Sequence, residues 1–182
     1  MISKRDQKKY ARRALNSMRK ANITLSKAEE KSLEVADFGL DRVEEVGLQI
    51  VVYENNDRYC AKELVLLPHQ ICPEHRHPCL GEQNAGKQET FRCRQGKVYL
   101  YVEGDPTLKP KARIPKAKRD TFTAWKEIVL RPGDQFTIPP NTLHWFQGGK
   151  RGAIISEFSS PSSDETDIFT DPEIQRITQV LQ

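Results

Sequence analysis

The chain has 182 residues with 29 Lys/Arg against 25 Asp/Glu, a formal charge of +4, 37% hydrophobic and 30% charged residues. That length suits one core with a short appendage, and the apolar content excludes a wholly disordered chain. Apolar runs such as Ile50 to Tyr53 and Leu64 to Leu67 fall far short of the roughly 18 residues a membrane helix needs. The amino terminus is charged throughout with no signal-like apolar region, so the sequence predicts a cytoplasmic protein that does not engage membranes.

Ser3, with Asp6 three residues on, reads as an N-cap with an acidic first turn, opening a helix of about five turns that ends near Asn22. Residues 1–32 carry ten Lys/Arg against three acids. Tyr10, Ala14, Leu15 and Met18 interleave with these bases at helical spacing, which predicts a helix docked by one face with its charges solvated, and no nucleic-acid partner. Ser26 and Glu29 form an S-x-x-E capping box that starts a second short helix, stopping before Gly39. Residues 1–38 are thus an N-terminal helical segment.

From Leu48 onward, short runs of Val, Ile, Leu, Tyr and Phe alternate with Asn-Asp, Pro and Gly breaks. The pattern predicts strands near 48–54, 59–67, 71–76, 89–94, 97–103, 127–130, 135–138, 143–147 and 152–158, with a hairpin turn at Gly96. That density implies an all-β fold, an antiparallel sandwich or barrel over residues 39–175. Residues 104–124, with Pro106, Pro110, Pro115 and a basic bias, read as a long connection. Asp171 as cap and Pro172 in the first turn predict a closing C-terminal helix whose end is 176–182. Cys60, Cys72, Cys79 and Cys93 contain no C-x-x-C pair and are expected to be free thiols.

Chemistry concentrates in a few positions. His75 and His77, two residues apart in a strand, point to one face and can share one metal ion. Glu89 begins a later strand, with six residues between it and Gly96. The run from Gly133 through Pro139 and Asn141 to His144 then supplies a third imidazole, and Asn141 is a residue that tolerates a left-handed backbone. The order His75-x-His77, Glu89-x6-Gly96 and Gly133-x5-Pro139-x-Asn141-x2-His144 resembles the two motifs of the cupin superfamily. Two departures stand out: the interval from His77 to Glu89 is long, and Gly148 stands where Asn is common. Glu82, nearer to His77, is a rival for the carboxylate ligand. The resemblance implies a double-stranded β-helix, or jelly-roll barrel, with three His and one Glu facing a divalent ion.

The long spacer, the string GKQETFRCRQGKVYLYVEGD, the IPPNTLHWFQGG motif and the terminal SEFSSPSSDETDIFTDP are together similar to the cupin-type D-lyxose isomerases over roughly residues 40–175. That similarity implies a monosaccharide substrate, interconversion of D-lyxose with D-xylulose and of D-mannose with D-fructose, Mn2+ as the metal, and a homodimer. It implies His75, His77, Glu89 and His144 as metal ligands and Lys87 and Glu157 as catalytic and substrate-facing residues; Asp167 and Glu165, in the acidic tail, are candidates to hydrogen-bond sugar hydroxyls. An aldose–ketose isomerase moves protons between two carbons and between two oxygens, so it needs an acid/base pair and an electrophile. Glu157 shares one face of its strand with Ile155, which suits it to the base role. Lys87 lies two residues before Glu89, and a nearby divalent cation would lower its proton affinity. Trp125, Trp145 and Phe146 are expected mainly in core packing. The same ligand set also serves metal-dependent oxygenases, and a non-catalytic sugar-binding cupin is the other rival.

Overall fold

The computed structural model describes residues 1–82 and 84–181. In chain order it contains β1 (Ile2–Ser3), α1 (Lys4–Lys20), α2 (Lys27–Ser32), β2 (Glu34–Ala36), β3 (Leu48–Asn55), β4 (Cys60–Leu66), β5 (Ile71–Arg76), β6 (Glu89–Val102), β7 (Lys126–Leu130), β8 (Gln135–Ile138), β9 (His144–Ser159), β10 (Ile168–Phe169) and β11 (Val180–Leu181). The molecule is mainly β, a curled antiparallel sheet with helices at its amino-terminal end. One path of the sheet runs β10-β5-β9-β4-β3-β2, and β6 joins it through β9 while also pairing with β7 and β8.

The long strands β6 and β9 make the curl. Gln95 pairs with Ile154 and Gly96 with Ala153, but the register slips between Cys93 and Gln95 and again between Gly96 and Val98. Gly96 and Gly152 both have positive φ, 78° and 73°, and a Cβ on Gly96 would collide with the Gly152 carbonyl. Bulges of this kind bend a strand and raise its twist. The expected hairpin turn at Gly96 is therefore replaced by a bend inside a continuous strand: 89–94 and 97–103 merge into β6, and 143–147 and 152–158 merge into β9. Because each long strand turns a corner, β9 pairs with β5 near His144 and with β4 near Glu157.

Inward-facing residues of the curl form the main core, including Ile50, Leu64, Phe91, Leu100, Phe146 and Ile155. The opposite face of β3, β4 and β9 is covered by α1. Its Tyr10, Ala14 and Met18 are buried against Val35, Val51, Val65 and Ile154, as the amphipathic spacing requires. A fully buried side chain such as Met18 contributes about 1.5–3 kcal/mol. Ser3 Oγ caps the helix through the Asp6 amide at 3.0 Å, and the Ser26–Glu29 capping box forms on α2. After α2 the chain enters β2, a strand the sequence pattern did not indicate.

The connection after β6 folds back as a third packing layer. Tyr101 stacks on Trp145 with centroids 4.0 Å apart, and Phe122 and Ala124 close over them. Trp145 donates its indole N–H to the Ala124 carbonyl at 2.7 Å. These aromatics, with Trp125 beside them and Phe146 in the main core, pack the interior as expected. All four cysteines are free.

The closing helix expected at Asp171 is absent among the described residues. The Glu173 amide does bond to Asp171 Oδ1 at 3.0 Å, so the local cap signal is real. The following residues are instead held by partners far away in sequence: Gln175 donates to the Phe38 carbonyl, Arg176 pairs with Glu34, Thr178 accepts from the Asp37 amide, and β11 runs parallel to β1. A short helix is marginal in water, and these contacts outweigh it.

Candidate active site

The site assembles at the bend of the sheet. His75 on β5 and His144 at the start of β9 are register partners. Pro73 falls where that register slips, between Cys72 and His75, a place where a residue with no N–H does not break the ladder. His77 follows β5 by one residue, and the period of two brings its ring to the same face as His75. The three rings gather with centroids 5.0 Å (His75 to His77), 4.3 Å (His75 to His144) and 5.3 Å (His77 to His144) apart. All three side chains are buried, and one nitrogen from each lies within 4.8 Å of the others. Asn141, with φ at 56°, donates its amide to the His77 carbonyl and so joins the two histidine-bearing segments.

Each imidazole is fixed from behind. His75 Nδ1–H donates to the Pro73 carbonyl at 2.8 Å, His144 Nδ1–H to the Thr142 carbonyl at 2.9 Å, and His77 Nδ1–H to Asp167 Oδ1 at 2.5 Å. With the proton on Nδ1, each Nε2 turns a lone pair toward the common centre. His144 Nε2 lies 2.9 Å from Glu89 Oε1 and His77 Nε2 lies 3.5 Å from Glu89 Oε2. His77 Nε2, His144 Nε2 and Glu89 Oε1 are all buried without a hydrogen-bond partner. Acceptors converging with no donor between them are costly unless a cation joins them. Histidines that donate from the second nitrogen to carbonyl or carboxylate are the usual metal-binding arrangement. The residues present therefore fit a divalent metal ion.

The electrostatics agree. Burial, with the neighbouring His144 and His77 rings, pushes the His75 pKa well below its ordinary value. Burial would lower His77 too, but the Glu89 and Asp167 carboxylates outweigh it and bring the value up to about 9. That negative field favours positive charge at this point, whether a proton or a metal ion.

Beside the imidazoles, Lys87 is wedged between two carboxylates. Its Nζ lies 2.7 Å from Glu89 Oε2 and 2.5 Å from Glu157 Oε1, and all three side chains are buried. Glu157 is on β9 opposite Phe91 of β6 and Lys62 of β4. Burial would lower the Lys87 pKa, but Glu157 and Glu89 raise it well above the ordinary value. Burial would raise the Glu89 pKa, but Lys87 and His77 hold it well below the carboxylate range. These two anionic neighbours act against the lowering of proton affinity that a bound divalent cation would bring to Lys87.

Not every functional candidate from the sequence lies here. Glu82 is exposed in a turn bridged by Gly81 and Asn84. Glu165 is exposed and accepts from Ser163 Oγ. Asp167 is brought in, but its Oδ1 is on His77. Sequence reasoning missed a second charged group in the same pocket: Lys62, Asp164 and Arg176. Lys62 Nζ lies 3.0 Å from Asp164 Oδ1, and an Arg176 guanidinium nitrogen lies 2.5 Å from Asp164 Oδ2. Lys62 shares the inward face of β4 with Leu64 and Leu66, and a lysine in an otherwise apolar inward row was the available signal.

The D-lyxose isomerase family profile matches residues 8–182. The chain belongs to the D-lyxose isomerase family. Among relatives of this family, the D-lyxose ketol-isomerase of Thermofilum sp. (strain ex4484_79) is 59% identical over 181 residues, covering 100% of both chains. The D-lyxose/D-mannose isomerase of Thermosediminibacter oceani is 57% identical over 180 residues, 99% of each. The L-ribose isomerase of Cellulomonas parahominis superposes with a TM-score of 0.81 over 99% of this chain and 98% of its own. That of Acinetobacter sp. DL28, solved with L-ribose, gives the same score and coverage. At 16% and 14% identity these two structures share the fold.

Proposed function

We propose that the protein is a divalent-metal-dependent aldose–ketose isomerase that interconverts D-lyxose with D-xylulose, and D-mannose with D-fructose, through a cis-enediol. Membership of the D-lyxose isomerase family supports the substrate class, and one observation carries the chemistry: the buried Lys87 ammonium held between Glu89 and Glu157 beside three converging imidazoles. On this reading the curled sheet is a cupin jelly-roll barrel, and the working form is a cytoplasmic homodimer. His75, His77, Glu89 and His144 hold the ion, with Mn2+ the one that the family resemblance implies. When bound, the ion polarises the sugar carbonyl and its neighbouring hydroxyl.

The remaining work belongs to side chains. Glu157 takes the proton from C2 of the aldose and returns it at C1, and Lys87 supplies and recovers the proton exchanged between O1 and O2. The ammonium pairs with Glu157 and orients it before the sugar arrives. The inward aromatic and aliphatic walls, Phe38, Ile50, Phe91 and Phe146, exclude water and so strengthen these interactions.

The test is a panel of free pentoses and hexoses with purified protein, with and without Mn2+, read by ketose formation. Mn2+-dependent D-xylulose from D-lyxose and D-fructose from D-mannose is expected. Metal uptake with no ketose from any sugar would replace this reading with a sugar-binding protein, and metal-dependent oxygen consumption would replace it with an oxygenase.

A further inference from the structure

We propose that Asp167 is a positioning residue for His77 and not a group that touches the sugar; this rests on the metal-binding reading above. The three imidazoles are not anchored alike. His75 and His144 donate to backbone carbonyls two residues before them, Pro73 and Thr142, so β5 and the approach to β9 fix those rings locally. His77 is held by a carboxylate ninety positions away, with Nδ1 to Asp167 Oδ1 at 2.5 Å and the Asp167 side chain 6% exposed.

The bond is delivered by the carboxyl-terminal segment. β10 adds to the edge of β5, pairing Ile168 with Arg76 and Phe169 with His75. Phe169 stacks on the His75 ring with centroids 5.3 Å apart, and the Thr170 hydroxyl donates to Glu74 Oε1 at 2.7 Å. Asp167, immediately before β10, is thereby carried to the rear of His77. A carboxylate there fixes the tautomer, turns Nε2 toward the common centre and raises its basicity as a ligand. One lone pair of Asp167 Oδ1 is taken up by the ring N–H, which makes this oxygen a weaker acceptor for a sugar hydroxyl.

The experiment compares Mn2+ affinity of metal-stripped full-length protein, measured without sugar, with kcat and KM for D-lyxose at saturating Mn2+. Asp167→Ala is expected to weaken Mn2+ binding by about 10–100-fold, with KM close to wild type once the metal is saturating. Asp167→Asn, whose amide oxygen still accepts from Nδ1–H, is expected to recover much of the loss while remaining several-fold weaker than wild type. Thr170→Val, which removes one docking hydrogen bond of the same segment while leaving the pairing of β10 with β5, is expected to weaken Mn2+ binding far less than Asp167→Ala. Unchanged Mn2+ affinity with a raised KM in Asp167→Ala would make Asp167 a sugar ligand and overturn the proposal. Equal weakening by Thr170→Val would overturn it too, by assigning the effect to docking of the segment. If Asp167→Ala does not fold, Asp167→Asn decides: a several-fold loss of affinity upholds the role, and none overturns it. Wild-type protein that takes up no divalent ion would defeat the metal-binding reading itself, whereas equal uptake by wild type and variants defeats only the inference about Asp167.

Discussion

The Lys87 ammonium lies 2.5 Å from Glu157 Oε1 in a buried pocket, so altering Lys87 takes away the ion-pair partner of Glu157, whereas altering Glu157 leaves Lys87 on Glu89 alone. Glu157→Gln keeps the side-chain size and removes the base, and turnover is expected to fall by roughly 10²–10⁴-fold while metal and sugar still bind. Lys87→Met should also lower turnover. The double variant should lose much less than the product of the two single effects, because both groups act in one transition state. Steady-state kinetics on the three variants checks this.

The carboxylate beside the histidines is Glu89, 2.9 Å from His144 Nε2, whereas Glu82 is exposed. Glu82→Gln is expected to retain metal and turnover. Glu89→Gln, and His77→Ala combined with His144→Ala, should lose most of the bound metal by elemental analysis. Metal lost in Glu82→Gln alone would reverse the assignment.

Asp164 links stability to pH. Burial alone would raise its pKa, but Lys62 and Arg176 hold it well below the usual carboxylate range. A depressed folded pKa means stability that is complete above the unfolded value, about 4, and is lost as pH falls toward the folded one. Asp164→Asn should therefore lower the melting temperature at pH 7. The gap between wild type and variant should narrow as pH falls below about 4, because protonation removes the same charge. A gap that widened in acid would contradict the pairing.

Much of this molecule is legible in its sequence because its signals are local. The alternation of apolar residues marks the strands, Ser3 and Ser26 mark the helix starts, and His75-x-His77 places two rings on one face through the period of two. What is not legible depends on contacts between distant segments. Gly96 carries the same signal whether it turns a hairpin or bends a strand, and only the approach of Gly152 decides. Asp171 and Pro172 carry the signal of a helix start, but contacts with Phe38, Glu34 and Asp37 hold the following residues in irregular chain. Lys62 and Asp164 are one hundred and two positions apart, and no local pattern pairs them.

The bend at Gly96 gives a stability prediction. Gly96→Ala places a Cβ against the Gly152 carbonyl and requires φ near 78° in a residue with a side chain. Overpacking of this kind costs about 1–3 kcal/mol, and the left-handed backbone adds about 1–2 kcal/mol. Chemical denaturation should show a loss in that combined range, and a variant as stable as wild type would show that the bend relaxes freely.

The chemistry is tested most directly by the deuterium content at C1 of the D-xylulose formed from D-lyxose in D2O by the Mn2+-loaded protein. Transfer through Glu157 exposes the migrating proton to exchange, so solvent deuterium is expected at C1, at a level that rises as turnover is slowed. D-xylulose formed with no deuterium at C1 at any turnover rate would indicate a direct hydride shift between the two carbons and contradict the role of Glu157 as the base.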